Sequence, residues 1–276
     1  MVFFKRYPVL PIFCLLPVII CGIFGPYFYP HDPMHMELAN TLKPPAFLGG
    51  DFSYFLGTDH MGRDLLSRLI EGARISLVIA LCGVFFSGFI GVCLGMIAGF
   101  FGGKLDETIM RIADAKMSIP AILLAILLAA GIGAGAVTII ISIALIFWTG
   151  YARVIRGETI SLSQRDFVTA ARVTGCRDFR ILKKHILPNL VSTITVLASL
   201  QLGRAILIEA GMTFLGVGLQ PPAAAWGLMI SEGRMYMATA WWIPLFSGAA
   251  IAMTVLGANL LGDWLRDKFD PKLRQL

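Results

Sequence analysis

The charges of this chain are bunched, and between the bunches run uncharged stretches at 7–31, 75–103, 117–152, 186–203, 210–231 and 235–262. A helix crosses the hydrocarbon of a bilayer in about 20 residues, so most of these stretches predict spans. Two need interpretation. The stretch at 117–152 is too long for one crossing and is interrupted by Gly131-Ile132-Gly133-Ala134-Gly135, which favours a turn. It reads as two helices, the first starting near Asp106, with Arg111, Asp114 and Lys116 at its cytoplasmic end and a kink at Pro120. The stretch at 210–231 holds Gly216, Gly218, Pro221 and Pro222, which predict a helix end followed by an external re-entrant or surface loop. The fifth helix then runs over about 190–214.

The expectation is an all-α membrane protein with six transmembrane helices, centred near residues 19, 88, 121, 144, 202 and 251. It divides into 1–30, a tail and first span; 31–74, an external segment; and 75–276, a core of five spans that includes a loop at 153–189. Composition agrees: of 276 residues 57% are hydrophobic and only 14% charged, with a mean hydropathy of +0.78, too little polar surface for a soluble globule.

Basic residues set the orientation. Between 153 and 185 stand eight Lys or Arg against three acids, whereas 31–74 has four basic residues and six acids. The positive-inside rule makes the first cytoplasmic and the second external; six crossings then leave both termini inside, with which Lys5 and Arg6 agree. The net charge of +6 thus reflects topology, and no arginine-rich stretch with interleaved aromatics points to nucleic acid. Pro8, Pro11 and Pro17 interrupt the apolar run after Lys5-Arg6, and no small-x-small cleavage site follows, so it reads as a span rather than a cleaved leader. The five cysteines show no zinc-ligand spacing.

Within the basic loop, 166–174 predicts a short helix with Ser161 or Ser163 as N-cap and Ala170-Ala171 as a small, flat face. Gly175 permits a sharp turn. A second helix at about 177–186 sets Phe179, Ile181 and Leu182 among Arg180, Lys183 and Lys184, and Pro188 opens the next span. Such an amphipathic pair suits docking into a groove on another protein.

The chain shows no energy source of its own. Gly99-Phe100-Phe101-Gly102-Gly103-Lys104 fails as a phosphate loop, because Ala98 replaces the first glycine and Leu105 the final Ser or Thr. Intramembrane hydrolysis would need a buried Asp pair, a Ser with a His, or a metal set, and the predicted spans hold none. Arg204 and Glu209 are the ionisable residues inside a span; they line a substrate path or form an interhelical or intersubunit ion pair. Outside, Gly57-Thr58-Asp59 opens a surface helix over 64–76, with Thr58 or Asp59 as cap. Trp226, Trp241 and Trp242 flank the last external loop.

Thr169-Ala170-Ala171, then Gly175, then His185-Ile186-Leu187-Pro188 resembles the cytoplasmic signature loop of ABC importer permeases, with Thr169 where that signature has a leading Glu. The run from Gly57 to Asp64, Phe214-Leu215-Gly216-Val217-Gly218, Gln220-Pro221-Pro222 and Trp226-Gly227 look like the second, C-type permease of dipeptide, oligopeptide and nickel importers. The resemblance runs from about Asp32 to Pro271. It implies a type I ABC importer permease fold with a cytoplasmic coupling helix, in the inner membrane of a bacterium.

The same resemblance implies that Asp166, Thr169, Ala170, Ala171, Gly175, Arg177, Phe179, Arg180, His185, Leu187 and Pro188 couple the chain to its ATPase. Arg204, Glu209, Phe214, Gly216, Gly218 and Trp226 fall to the translocation path or its outer gate. Asp59, Arg63 and Asp64 either contact a delivery protein or form a local ion-pair and capping network. The implied partners are a homologous second permease, two cytoplasmic ATPase subunits, an external substrate-binding protein and membrane lipid. The chain itself would bind no cofactor and hydrolyse nothing; ATP and Mg belong to the partners. Gln220-Pro221-Pro222 favours peptides as cargo. The alternative is nickel or a metal chelate, suggested by His31-Asp32-Pro33-Met34-His35-Met36, although Pro33 separates the histidines. A stand-alone secondary carrier is the remaining alternative.

Overall fold

The computed structural model describes residues 8–269, which leaves Lys5, Arg6 and Pro271 outside the described residues. Its helices are α1 (Val9–Phe28), α2 (Leu65–Phe101), α3 (Gly103–Met117), α4 (Ala121–Ile132), α5 (Ala136–Ser163), α6 (Asp166–Val173), α7 (Asp178–Ile181), α8 (Leu187–Phe214), α9 (Trp226–Gly233) and α10 (Trp242–Phe269). Among the described residues there is no strand, only an isolated bridge between Thr58 and Asp64. Five helices are long and apolar enough to cross a membrane, α8 being counted with the turns that precede it, and the α3–α4 pair makes a sixth if its two halves form one span.

A stripe of small residues explains the central seam. Gly83, Ser87, Gly91, Gly95 and Gly99 recur every fourth residue along one face of α2. A Cβ at Gly91 would lie 2.4 Å from the Trp148 carbonyl oxygen, and one at Gly95 2.6 Å from that of Ala152. Only hydrogen there lets α5 approach so closely. α8 and α10 then pack against each other, and α1 fills the angle between α2 and α10 with Cys14, Leu15 and Val18 buried.

Several boundaries differ from expectation. No separate surface helix occupies 64–76: α2 is continuous over 37 residues, about 55 Å long, because nothing between Leu65 and Ile75 breaks it. Its cap is neither Thr58 nor Asp59 but Asp64, whose carboxylate accepts from the Ser67 amide at 2.9 Å. Thr58 and Asp59 instead serve the preceding loop, where Thr58 Oγ1 accepts from the Lys43 amide and Asp59 Oδ1 from the Met61 and Arg63 amides. At Pro120 the chain turns by 90° rather than kinking. Proline denies Ser118–Pro120 a continuous ladder. Ser161 and Ser163 lie inside α5, so neither caps α6, whose N-cap is Arg165 with no side-chain bond.

Candidate functional site

The basic loop is fastened to the bundle by its apolar residues. Val168 and Ala171 of α6, Ile181 of α7, and Ile186 and Leu190 further on are buried together with Val92, Tyr151 and Ile155 of α2 and α5. Hydrophobic spacing on α6 accounts for this: Val168 and Ala171 are three residues apart and share one face. Ala170 points outward instead, so Ala170-Ala171 is not a single flat face. Helical geometry puts consecutive residues about 100° apart.

α6 ends in a Schellman motif. The Gly175 amide donates to the Arg172 carbonyl at 2.9 Å and the Cys176 amide to Ala171 at 3.0 Å, with Gly175 at φ +77°. The turn leads directly into α7. Its apolar residue Ile181 goes inward while Phe179 stays 76% exposed between exposed Arg177 and Arg180. A π-helical turn, Leu182–Ile186, carries the chain into α8 without a break, and this wider turn falls where Pro188 withholds an N–H from the helical ladder.

Asp166, Thr169 and Ala170 line the exposed side of α6 beside Phe167, whose ring is 6.5 Å from that of His185. Thr169 Oγ1 reaches the Arg165 carbonyl only at 3.5 Å. Leu187 is half-buried against the anchoring cluster. The result is a firmly based knob that presents threonine, arginine and two phenyl rings, Phe167 and the barer Phe179. Arg172 lies over the Phe100 ring at 5.0 Å and ties the knob to the end of α2.

At the opposite end of the bundle the predicted path residues separate. Glu209 is buried; its carboxylate accepts from Ser76 Oγ at 2.9 Å and Thr213 Oγ1 at 3.2 Å. Arg204 is exposed and does not pair with it. α8 stops after Phe214 with the same device as α6: Gly216 at φ +78° donates to Thr213, and Val217 to Met212. Gly218 is pressed onto Thr213, 2.4 Å from its Oγ1 were a Cβ present. The loop then returns as α9, with Trp226 buried against α2.

Asp59, Arg63 and Asp64 are interior, each at most 2% exposed, and so are not offered to a partner as side chains. Arg63 Nε bonds Asp59 Oδ2 at 2.7 Å, and Arg63 and Arg68 both reach Glu232 of α9, at 3.1 and 3.2 Å. Two guanidiniums thus bind the 31–74 segment to α9. Arg68 and Glu232 were not predicted, and a separation of 164 residues gives no pattern in sequence that would pair them. Asp59, His60 and Glu232 are close enough to hold a metal, but the two arginines already occupy both carboxylates. His31 instead stacks on Tyr54, 4.8 Å between centroids, while His35 is exposed.

Residues 91–275 match the family described as the inner membrane component of binding-protein-dependent transport systems. This chain belongs to that family. It is therefore a multi-pass inner membrane permease of an ABC transport system. The permease is 41% identical over 94% of its length to the di/tripeptide transport system permease protein DppC of Pseudomonas aeruginosa, covering 86% of that protein. It is 39% identical to the probable D,D-dipeptide transport system permease protein DdpC of Escherichia coli, over 92% of this chain and 84% of that one. The glutathione transport system permease protein GsiD of Pectobacterium atrosepticum is 39% identical over 94% of this chain and 85% of its own length. Among solved structures, an inward-facing MetNI methionine ABC transporter shares the fold at 19% identity, TM-score 0.59, over 75% of this chain and 98% of that one.

Proposed function

We propose that this permease forms half of the translocation path of an ATP-driven importer of di- or oligopeptides, beside a homologous but different permease. The anchored knob of α6 and α7 carries the proposal. A docking element that transmits force needs a rigid base and an exposed contact face, and here Val168, Ile181 and Ile186 are fully buried while Phe179, Arg177 and Arg180 are free. The face fits a groove on a cytoplasmic ATPase, and two ATPase subunits would supply ATP and Mg chemistry. In this reading the basic loop and both termini lie in the cytoplasm, which the excess of Lys and Arg supports. The opposite end, with the 31–64 segment and α9, then faces an external substrate-binding protein. Alternating access would rock the two permeases about their shared path.

Peptide cargo is supported by the relatives, named for di- and tripeptide, D,D-dipeptide and glutathione transport. Nickel gains no support from the histidines, since His31 is stacked on Tyr54 and neither it nor His35 belongs to a metal-holding group among the described residues. The test is uptake of labelled dipeptides and of nickel by proteoliposomes holding the chain with its neighbouring subunits, with and without ATP and binding protein. Dipeptide uptake that needs both supports the reading. Uptake of nickel alone changes the cargo, and ATP-independent uptake by this chain alone overturns the importer.

A further inference from the structure

α8 carries two charges, and the structure treats them oppositely. Glu209 is turned inward and satisfied by Ser76 and Thr213. Arg204 is exposed and makes no ion pair among the described residues. It stands roughly 25 Å from one end of α8 and 15 Å from the other, at hydrocarbon depth. An arginine so placed faces protein or a water-filled path, not lipid.

Its face is defined by its neighbours. Leu200, Arg204, Leu207 and Gly211 follow one another at helical spacing and share a side of α8. Leu200 lines a cavity with Glu158, Thr193 and Arg266 at the basic-loop end. Leu207 and Gly211 line a second cavity with Phe214 and Asn259 toward the opposite end. α8 and α10 wall both. Along α8 Arg204 falls between the residues that line the two, while Asn259 faces the neighbouring Gly203, its Oδ1 3.0 Å from where a Cβ there would be. The two cavities follow one another as a trough along α8 and α10, charged at one mouth and apolar at the other, and Arg204 falls between them on the α8 wall.

We infer that Arg204 holds the carboxylate of the cargo midway through the membrane. The inference rests on the peptide-import reading, because an unmodified peptide carries a C-terminal carboxylate that must shed water to pass. A guanidinium offers two parallel N–H donors matched to a carboxylate, and so replaces that water. The apolar outer cavity accommodates side chains without further charge. The second permease closes the open side of the trough.

The experiment compares wild type and R204Q in the reconstituted full complex, with saturating binding protein, for uptake of alanyl-alanine and of alanyl-alaninamide. The acid-to-amide uptake ratio falls about tenfold in R204Q, the size of one lost charge-assisted hydrogen bond, and R204K restores most of it. Two results overturn the inference. An equal fall for both peptides removes the carboxylate from the argument, and loss of the second permease from the purified R204Q complex assigns Arg204 to an ion pair between subunits. Failure of the peptide-import reading looks different: the wild-type complex would then import neither peptide with ATP.

Discussion

Trp226 fills the notch that Gly72 leaves on α2. A Cβ at Gly72 would lie 2.5 Å from Trp226 Cδ1 and 2.8 Å from the Ala224 carbonyl oxygen, while the indole Nε1 donates to the Leu69 carbonyl at 3.0 Å. The tryptophan is 1% exposed, so its hydrogen bond is made without water. α9 is thereby keyed into α2 by shape and by one polar contact.

Gly72→Ala should therefore destabilise the permease by about 1–3 kcal/mol, because backbone as well as the indole must shift. Trp226→Phe removes the pyrrole ring that carries Cδ1 and Nε1, so both the donor and the contact with Gly72 are lost, and it should cost about 2–3 kcal/mol. Thermal unfolding of the purified complex measures both. A wild-type midpoint for Gly72→Ala would mean that α9 is not seated on α2.

The number, order and apolar character of the spans were legible because they depend on local hydropathy, and the Gly175 turn because its φ demands glycine. The break at Pro120 was legible in place but not in angle. α9 was hidden because Trp226–Gly233 is too short and too mixed to show a period of its own, and its burial depends on Gly72 far away in sequence. The same holds at the candidate path. Arg204 and Glu209 were found as intramembrane charges, but which faced inward depended on Ser76, and no spacing links Ser76 to Glu209 across 133 residues.

The pairing of Arg63 with Asp59 and Glu232 separates a structural role from a contact role. Asp59→Asn leaves Arg63 and Arg68 short of one negative charge in a buried setting, which should cost about 3 kcal/mol. Unfolding should shift to lower temperature with or without the binding protein. A variant of unchanged stability with weakened docking of the binding protein would assign Asp59 to the partner surface instead.

Phe179 and Ile181 lie two residues apart on α7 and should fail differently. Ile181 is fully buried, so Ile181→Ala should lose about 2–5 kcal/mol of stability through the cavity it leaves. Phe179 is 76% exposed, so Phe179→Ala should leave unfolding within about 0.5 kcal/mol of wild type. If the knob docks an ATPase, Phe179→Ala should still lower binding-protein-stimulated ATP hydrolysis, as loss of an aromatic anchor at an interface does. Equal stability losses for the two variants would place Phe179 in the fold rather than at a partner.

The α2–α5 seam gives a contrast within one helix. At Gly91 a Cβ would meet the Trp148 carbonyl oxygen at 2.4 Å, a backbone atom held by its own helix. At Gly88, three residues earlier, the nearest atom is Tyr151 Cζ at 3.5 Å, an ordinary contact. Gly91→Ala should thus force the helices apart and cost about 1–3 kcal/mol. Gly88→Ala meets no such obstacle and gains the helical preference of alanine, about 0.5–1 kcal/mol. The two substitutions add the same methyl group to the same helix, so membrane insertion and hydropathy cannot explain opposite shifts in unfolding temperature. Only the closeness of the seam can, and matching shifts for both variants would show that α5 does not approach α2 at Gly91.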